Sequence, residues 1–226
     1  EPGFSLTLSG DATNLLNTVV FGGDGGDENI FLLRYNREME SRFGRALLQE
    51  QAASLSPEAY MEFAAGITRQ KLDFLNTEEE GLSKVFLDFL KTTIQYEKYQ
   101  LLLNYPALHQ RLNQLETKIT LPDGYYDFLD DAIAWRGQSF TNLTYVGFLL
   151  SYLDHKKEAY DGGLDHLSRH EANYMLSGRY LSDKPKYYIQ ALSISREMNS
   201  GDIDLALTMY DEYVEMSPVD AFKESL

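Results

Sequence analysis

Five apolar residues, Phe31, Tyr35, Met39, Phe43 and Leu47, recur every four positions, a period that only a helix turns into one continuous stripe. Similar patterns follow to the end of the chain, and this succession of amphipathic segments commits the protein to a mostly α-helical fold. The stripe predicts a helix of roughly twenty residues from Asn29, with Arg34, Arg37, Arg42 and Arg45 on its wet edges. Length allows this, since 226 residues can bury a continuous core without disulfide or metal staples.

Before Asn29 the period changes to two. Phe4-Ser5-Leu6-Thr7-Leu8-Ser9 alternates and Thr18-Val19-Val20-Phe21 is β-branched and apolar, so both read as strands, punctuated by Gly10-Asp11 and by the run from Gly22 to Asp27. Two strands alone are marginal, so they are expected to lean on the helices or to belong to a truncated sheet. The chain therefore divides into a short β element over 1–28 and a helical domain over 29–226. The expected architecture is a multi-helix antiparallel bundle with an N-terminal β-hairpin or sheet remnant.

Caps place the later helices. Ser56-Pro57-Glu58 sets a hydroxyl at the N-cap, proline at N1 and an acid in the first turn, ahead of Tyr60, Phe63, Ile67 and Phe74. Thr77 with Glu80 fits a capping box for a helix running to about Asn104, after which Pro106 opens a shorter segment to about Thr117. Leu121-Pro122-Asp123-Gly124 is a turn leading into Tyr125–Leu129. Ser139 or Thr141 is expected to cap a helix whose inward face carries Tyr145, Phe148, Leu149 and Tyr152, ended by Gly162-Gly163. Further helices are expected near His166–Leu181, Pro185–Met198, Ile203–Glu215 and Pro218–Phe222. Gly201-Asp202 makes a tight turn between two of them, and Ala206, Tyr210, Tyr213 and Pro218 fit the end of one tetratricopeptide unit, though no 34-residue recurrence stands upstream.

Charge and composition exclude several functions. The formal net charge of −15 repels phosphate backbones and anionic lipid, so nucleic acid is a poor partner and neutral or basic partners are favoured. Without cysteine there is no thiolate nucleophile and no thiolate metal site. The longest apolar runs, such as Val146–Leu150, are far too short to span a bilayer, and no basic apolar export signal opens the sequence. No phosphate loop, dinucleotide fingerprint or Gly-x-Ser-x-Gly elbow occurs.

The candidate sites are few. His166 and His170, four apart, are spaced to share a helix face and hold a metal, but Leu167 stands where the zinc motif needs glutamate, and solvated or capping roles are expected instead. Asp24, Asp27 and Asn29 lie in a glycine-rich loop whose twelfth position is Tyr35 rather than a calcium-binding glutamate, so a plain turn is expected. Asp127, Asp130 and Asp131 sit near Tyr125, Tyr126 and Trp135, a combination that can bind or hydrolyse carbohydrate. Acids on one short helix cannot flank a glycosidic bond from opposite sides, however, so a solvated face is expected. Neither a metal nor a cofactor is expected.

The order of several segments resembles a family of thioredoxin-fold lipoproteins of Gram-negative envelopes. Ser9-Gly10-Asp11, Phe21-Gly22-Gly23 and Asn29-Ile30-Phe31-Leu32-Leu33-Arg34-Tyr35 look like that family's strand-to-helix passage. Ser56–Tyr60, Lys71–Asn76, Tyr96–Pro106 and Leu121–Leu129 are similar to its helical region. In the family a thioredoxin-like domain with a Cys-x-x-Cys pair follows and exchanges thiols with disulfides. This chain ends at Leu226 with no cysteine, so no catalytic residue carries over. The resemblance implies a periplasmic or membrane-anchored envelope location and a non-enzymatic scaffold or partner-recognition region, whose partner is a protein or peptide, the downstream thioredoxin-like domain included. The other expectations are a tetratricopeptide-like peptide-binding module and a carbohydrate-processing enzyme built on Asp127, Asp130 or Asp131.

Overall fold

A computed structural model describes residues 5–78, 80–160 and 162–218. The elements run β1 (Leu6–Ser9), α1 (Leu15–Thr18), β2 (Val20–Gly23), α2 (Gly26–Phe43), α3 (Arg45–Ser54), α4 (Pro57–Thr77), α5 (Lys84–Leu112), α6 (Phe128–Ile133), α7 (Leu143–Glu158), α8 (Arg169–Tyr180), α9 (Asp183–Ser200) and α10 (Ile203–Met216). The fold is mostly α. Strands β1 and β2 form a two-stranded antiparallel sheet in which Leu6 pairs with Gly23 and Leu8 with Phe21, and β2 leans on α2. The helix α2 begins at Gly26, three residues earlier than the apolar stripe predicts, because Gly25 turns the chain directly from β2 into the helix. Phe4, and the expected helix beyond Pro218, lie outside the described residues.

Two compact units divide the chain. The first holds residues 1–98 and 105–120, the second residues 99–104 and 121–226, so the long helix α5 contributes to both. In the first unit, Phe31, Tyr35 and Met39 of α2 pack with Leu75 of α4 and with Leu90 and Ile94 of α5, giving one face of each helix its burial. Arg34, Arg37, Arg42 and Arg45 stay exposed, as expected of the stripe's edges. The stripe itself is broken: Gly44 is extended, and a Cβ there would stand 2.7 Å from the Glu40 carbonyl oxygen, so Leu47 belongs to α3 instead.

Capping explains where the helices start. Ser56 accepts from the Ala59 N–H with Pro57 at N1, as its sequence predicts. Thr77 does not cap. It ends α4, its hydroxyl bonded to the Phe74 carbonyl, and Ser83 caps α5 by accepting from the Phe86 N–H at 3.3 Å. Likewise Asn142, rather than Ser139 or Thr141, caps α7 through the N–H groups of Thr144 and Tyr145 at 3.1 and 3.3 Å.

Pro106 does not end a helix either: α5 runs straight through it to Leu112. Proline removes the N–H that should reach the carbonyl of Leu102 four residues back. Tyr125 supplies the missing donor, its hydroxyl lying 2.9 Å from that carbonyl. Farther along α5, three side chains spaced four apart face the end of α3. Tyr105 donates to the Leu55 carbonyl at 2.7 Å, the His109 Nδ1–H to Ala52 at 2.9 Å and Asn113 to Ala53 at 2.9 Å. These are carbonyls that a helix C-terminus leaves without intrahelical partners.

In the second unit Tyr145, Phe148, Leu149 and Tyr152 of α7 are all buried, as the pattern predicts. Tyr99 stacks on Phe128 with centroids 5.3 Å apart. Helices α8, α9 and α10 pack in succession, with Tyr174, Ala191, Ile194, Met209 and Tyr213 between them. Gly201 adopts the left-handed conformation (φ +101) that closes α9, and Asp202 then caps α10 through the Leu205 N–H at 3.2 Å. Glu197 of α9 is buried, and its carboxylate accepts from the hydroxyls of Ser168, the cap of α8, and of Ser200. Its charge thereby sits at the positive end of the α8 dipole.

Candidate functional site

Among the described residues, no three His, Asp or Glu side chains gather as a metal would require, and no helix is long and apolar enough to cross a membrane. His166 and His170 do not share a helix. Ser168 caps α8, so His166 is left exposed in the preceding turn, and only His170 is helical. Asp127, Asp130 and Asp131 are all exposed, the last paired with Arg136. An open cleft of about 310 Å³ in the first unit runs past Arg34, Arg37 and Phe74, but it carries Glu38 and Glu78 beside the two arginines, and Arg34 pairs with Glu78 at 2.9 Å.

The second unit carries a more specialised surface. Helices α7 and α8 end in basic residues, where cations suit the helix dipole: His155, Lys156 and Lys157 on one, Arg179 on the other. Tyr152 and Lys156 stand four apart on one helix, and the Lys156 ammonium lies 5.3 Å from the Tyr152 ring centre and 5.7 Å from that of Tyr180. The Arg179 guanidinium lies 5.3 Å from Tyr160 and 5.7 Å from Tyr180. Tyr180 thus has a cation from each helix end. Beyond it, Lys184 sits 4.9 Å over Trp135, and Lys186 lies 5.1 Å from Tyr187.

Aromatic side chains from α6 and its approach join this face. Tyr126 packs edge-on to Tyr125 at 5.1 Å and lies 4.7 Å from His155. Burial, and then the charge of Glu158, raise the Tyr126 hydroxyl above its ordinary value. Burial, helped by Asp130 and Tyr180, pushes Tyr152 up to about 12, so this tyrosine is a neutral floor to the face. Trp135 is half-buried, its Nε1–H donating to the Gln138 carbonyl at 3.3 Å.

Of the residues that the sequence nominates, Tyr126, Asp130 and Trp135 fall on or beside this face, while Tyr125 is a buried structural donor. Lys156, Arg179, Tyr180 and Lys184 were not nominated. Tyr152 and Lys156 at helical i,i+4 spacing, and the adjacent pairs Arg179-Tyr180 and Lys186-Tyr187, were the available signal; Lys156 with Tyr180, Arg179 with Tyr160 and Lys184 with Trp135 cross between segments.

Chemically the face presents positive hydrogen-bond donors set beside aromatic rings. It brings together the arginine, tyrosine and tryptophan side chains that anchor protein interfaces. No family model, no curated protein and no solved structure matches the chain.

Proposed function

We propose that this chain is a non-catalytic partner-recognition module that binds polypeptide through the face around Tyr180. The observation that carries this reading is the approach of Lys156, from another helix, and of Arg179 to the Tyr180 ring, with Lys184 over Trp135. Cations laid on rings lose less side-chain freedom when a ligand arrives, which favours their use as anchors. The absence of cysteine leaves thiol chemistry to another domain, and the resemblance to thioredoxin-fold envelope lipoproteins supports a periplasmic or envelope-anchored setting beside such a domain.

Ser182 is exposed and, although it stands at the start of α9, its side chain makes no capping bond, so it tolerates a photo-crosslinking residue. Crosslinking in the native cell from position 182 is expected to yield a discrete polypeptide adduct, and crosslinking from the exposed Leu143 position is not. Equal yields from both positions contradict the reading. Sequencing the gene past Leu226 tests the thioredoxin-linked part, which predicts a Cys-x-x-Cys domain there.

A further inference from the structure

We infer, building on the polypeptide-binding reading above, that the segment bound at this face is acidic: a short stretch with carboxylates set among apolar side chains. Acids outnumber bases 35 to 20 in the chain, and Arg34, Arg42, Lys71, Lys84, Arg136 and Arg169 each form an ion pair. Lys156, Arg179, Lys184 and Lys186 are set apart by the rings beside them. Among the described residues none of the four makes an ion pair, and each has an aromatic ring as its neighbour instead.

A cation above a ring keeps its outward N–H groups unspent, and a ring cannot accept them as a carboxylate does. Two helix C-termini converge here, and their partial negative charge is already matched by Lys156 and Arg179. The complement of such a surface is negative charge spaced among groups that pack on tyrosine and tryptophan. The net charge of −15 disfavours a long, densely charged polyanion, whose field meets the whole molecule, whereas a few carboxylates are recognised locally within a Debye length of about 8 Å. That contrast selects an acidic peptide over nucleic acid or polyuronate.

Panning a random-peptide display library on the intact chain, in parallel with a Lys156→Gln/Arg179→Gln/Lys184→Gln variant of matched melting temperature, tests the inference. Single Arg179→Gln and Lys184→Gln variants, both at exposed positions, serve if the triple variant melts early. Peptides retained by the parent and lost by the variant are expected to be enriched about twofold or more in Asp and Glu. Their Asn/Gln counterparts should bind about tenfold more weakly, with affinity falling as salt rises. Retained peptides without acid enrichment overturn the acidic assignment and leave polypeptide recognition standing. If no peptide distinguishes parent from variant, both readings fall. An oligogalacturonate that binds more tightly than the best peptide, and is lost in the same variant, assigns the face to carbohydrate and overturns the inference.

Discussion

The Tyr125 hydroxyl donates to the Leu102 carbonyl at 2.9 Å, the same carbonyl that Pro106 leaves without a helical N–H. A tertiary hydrogen bond thus replaces a secondary one and lets α5 continue through proline. Tyr125→Phe should cost about 1–3 kcal/mol, the penalty of a buried unsatisfied carbonyl. In a Pro106→Ala background, where residue 106 can donate again, the same change should cost clearly less, measured as a double-mutant cycle of urea unfolding. Equal penalties in both backgrounds contradict the substitution of one donor for another.

The row Tyr105, His109 and Asn113 closes the end of α3 in the same way. Tyr105→Phe keeps the ring stacked on Tyr60, at 4.2 Å, and removes the bond to Leu55. It is expected to cost about 1–2 kcal/mol in chemical denaturation.

The buried carboxylate of Glu197 holds the hydroxyls of Ser168 and Ser200. Glu197→Gln retains one acceptor oxygen and should cost about 1 kcal/mol, whereas Glu197→Leu strands the Ser168 hydroxyl, leaving Ser200 its bond to the Glu197 backbone carbonyl, and should cost about 2–3 kcal/mol. Thermal melts of the two variants, compared with the parent, check the ordering.

Burial pushes Tyr60, Tyr152 and Tyr174 up to about 12 from their ordinary 10.0. The folded state therefore keeps these protons where the unfolded chain loses them. Their contribution is fully present below pH 10 and is lost as pH rises from 10 towards 12. Melting temperature should accordingly fall across that window, with tyrosinate absorbance of these residues rising only as the fold is lost. A melting temperature unchanged up to pH 12 contradicts this.

Local signals made much of the fold legible. Ser56-Pro57 announces its own cap, and Gly201-Asp202 its own turn, because the groups that satisfy each backbone donor lie within one helical turn. Where a partner comes from elsewhere, local reading fails. Pro106 reads as a helix start because Tyr125, nineteen residues on, is what rescues it. The stripe through Leu47 hides the break at Gly44, and two plausible caps, Thr77 and Ser139, lose to Ser83 and Asn142, which stand where the N–H groups actually emerge. The site divides in the same manner. Tyr126, Asp130 and Trp135 cluster in sequence and were visible, whereas Arg179 and Lys156 meet on Tyr180 only after α7 and α8 pack.

Hydrogen exchange of the chain with and without a polypeptide selected on it tests the central claim most directly. The account predicts slowed exchange confined to the end of α7, near 152–160, and to the segment 179–187, abolished by Arg179→Gln. Protection instead at the sheet of β1 and β2, or along the cleft beside Phe74, contradicts it.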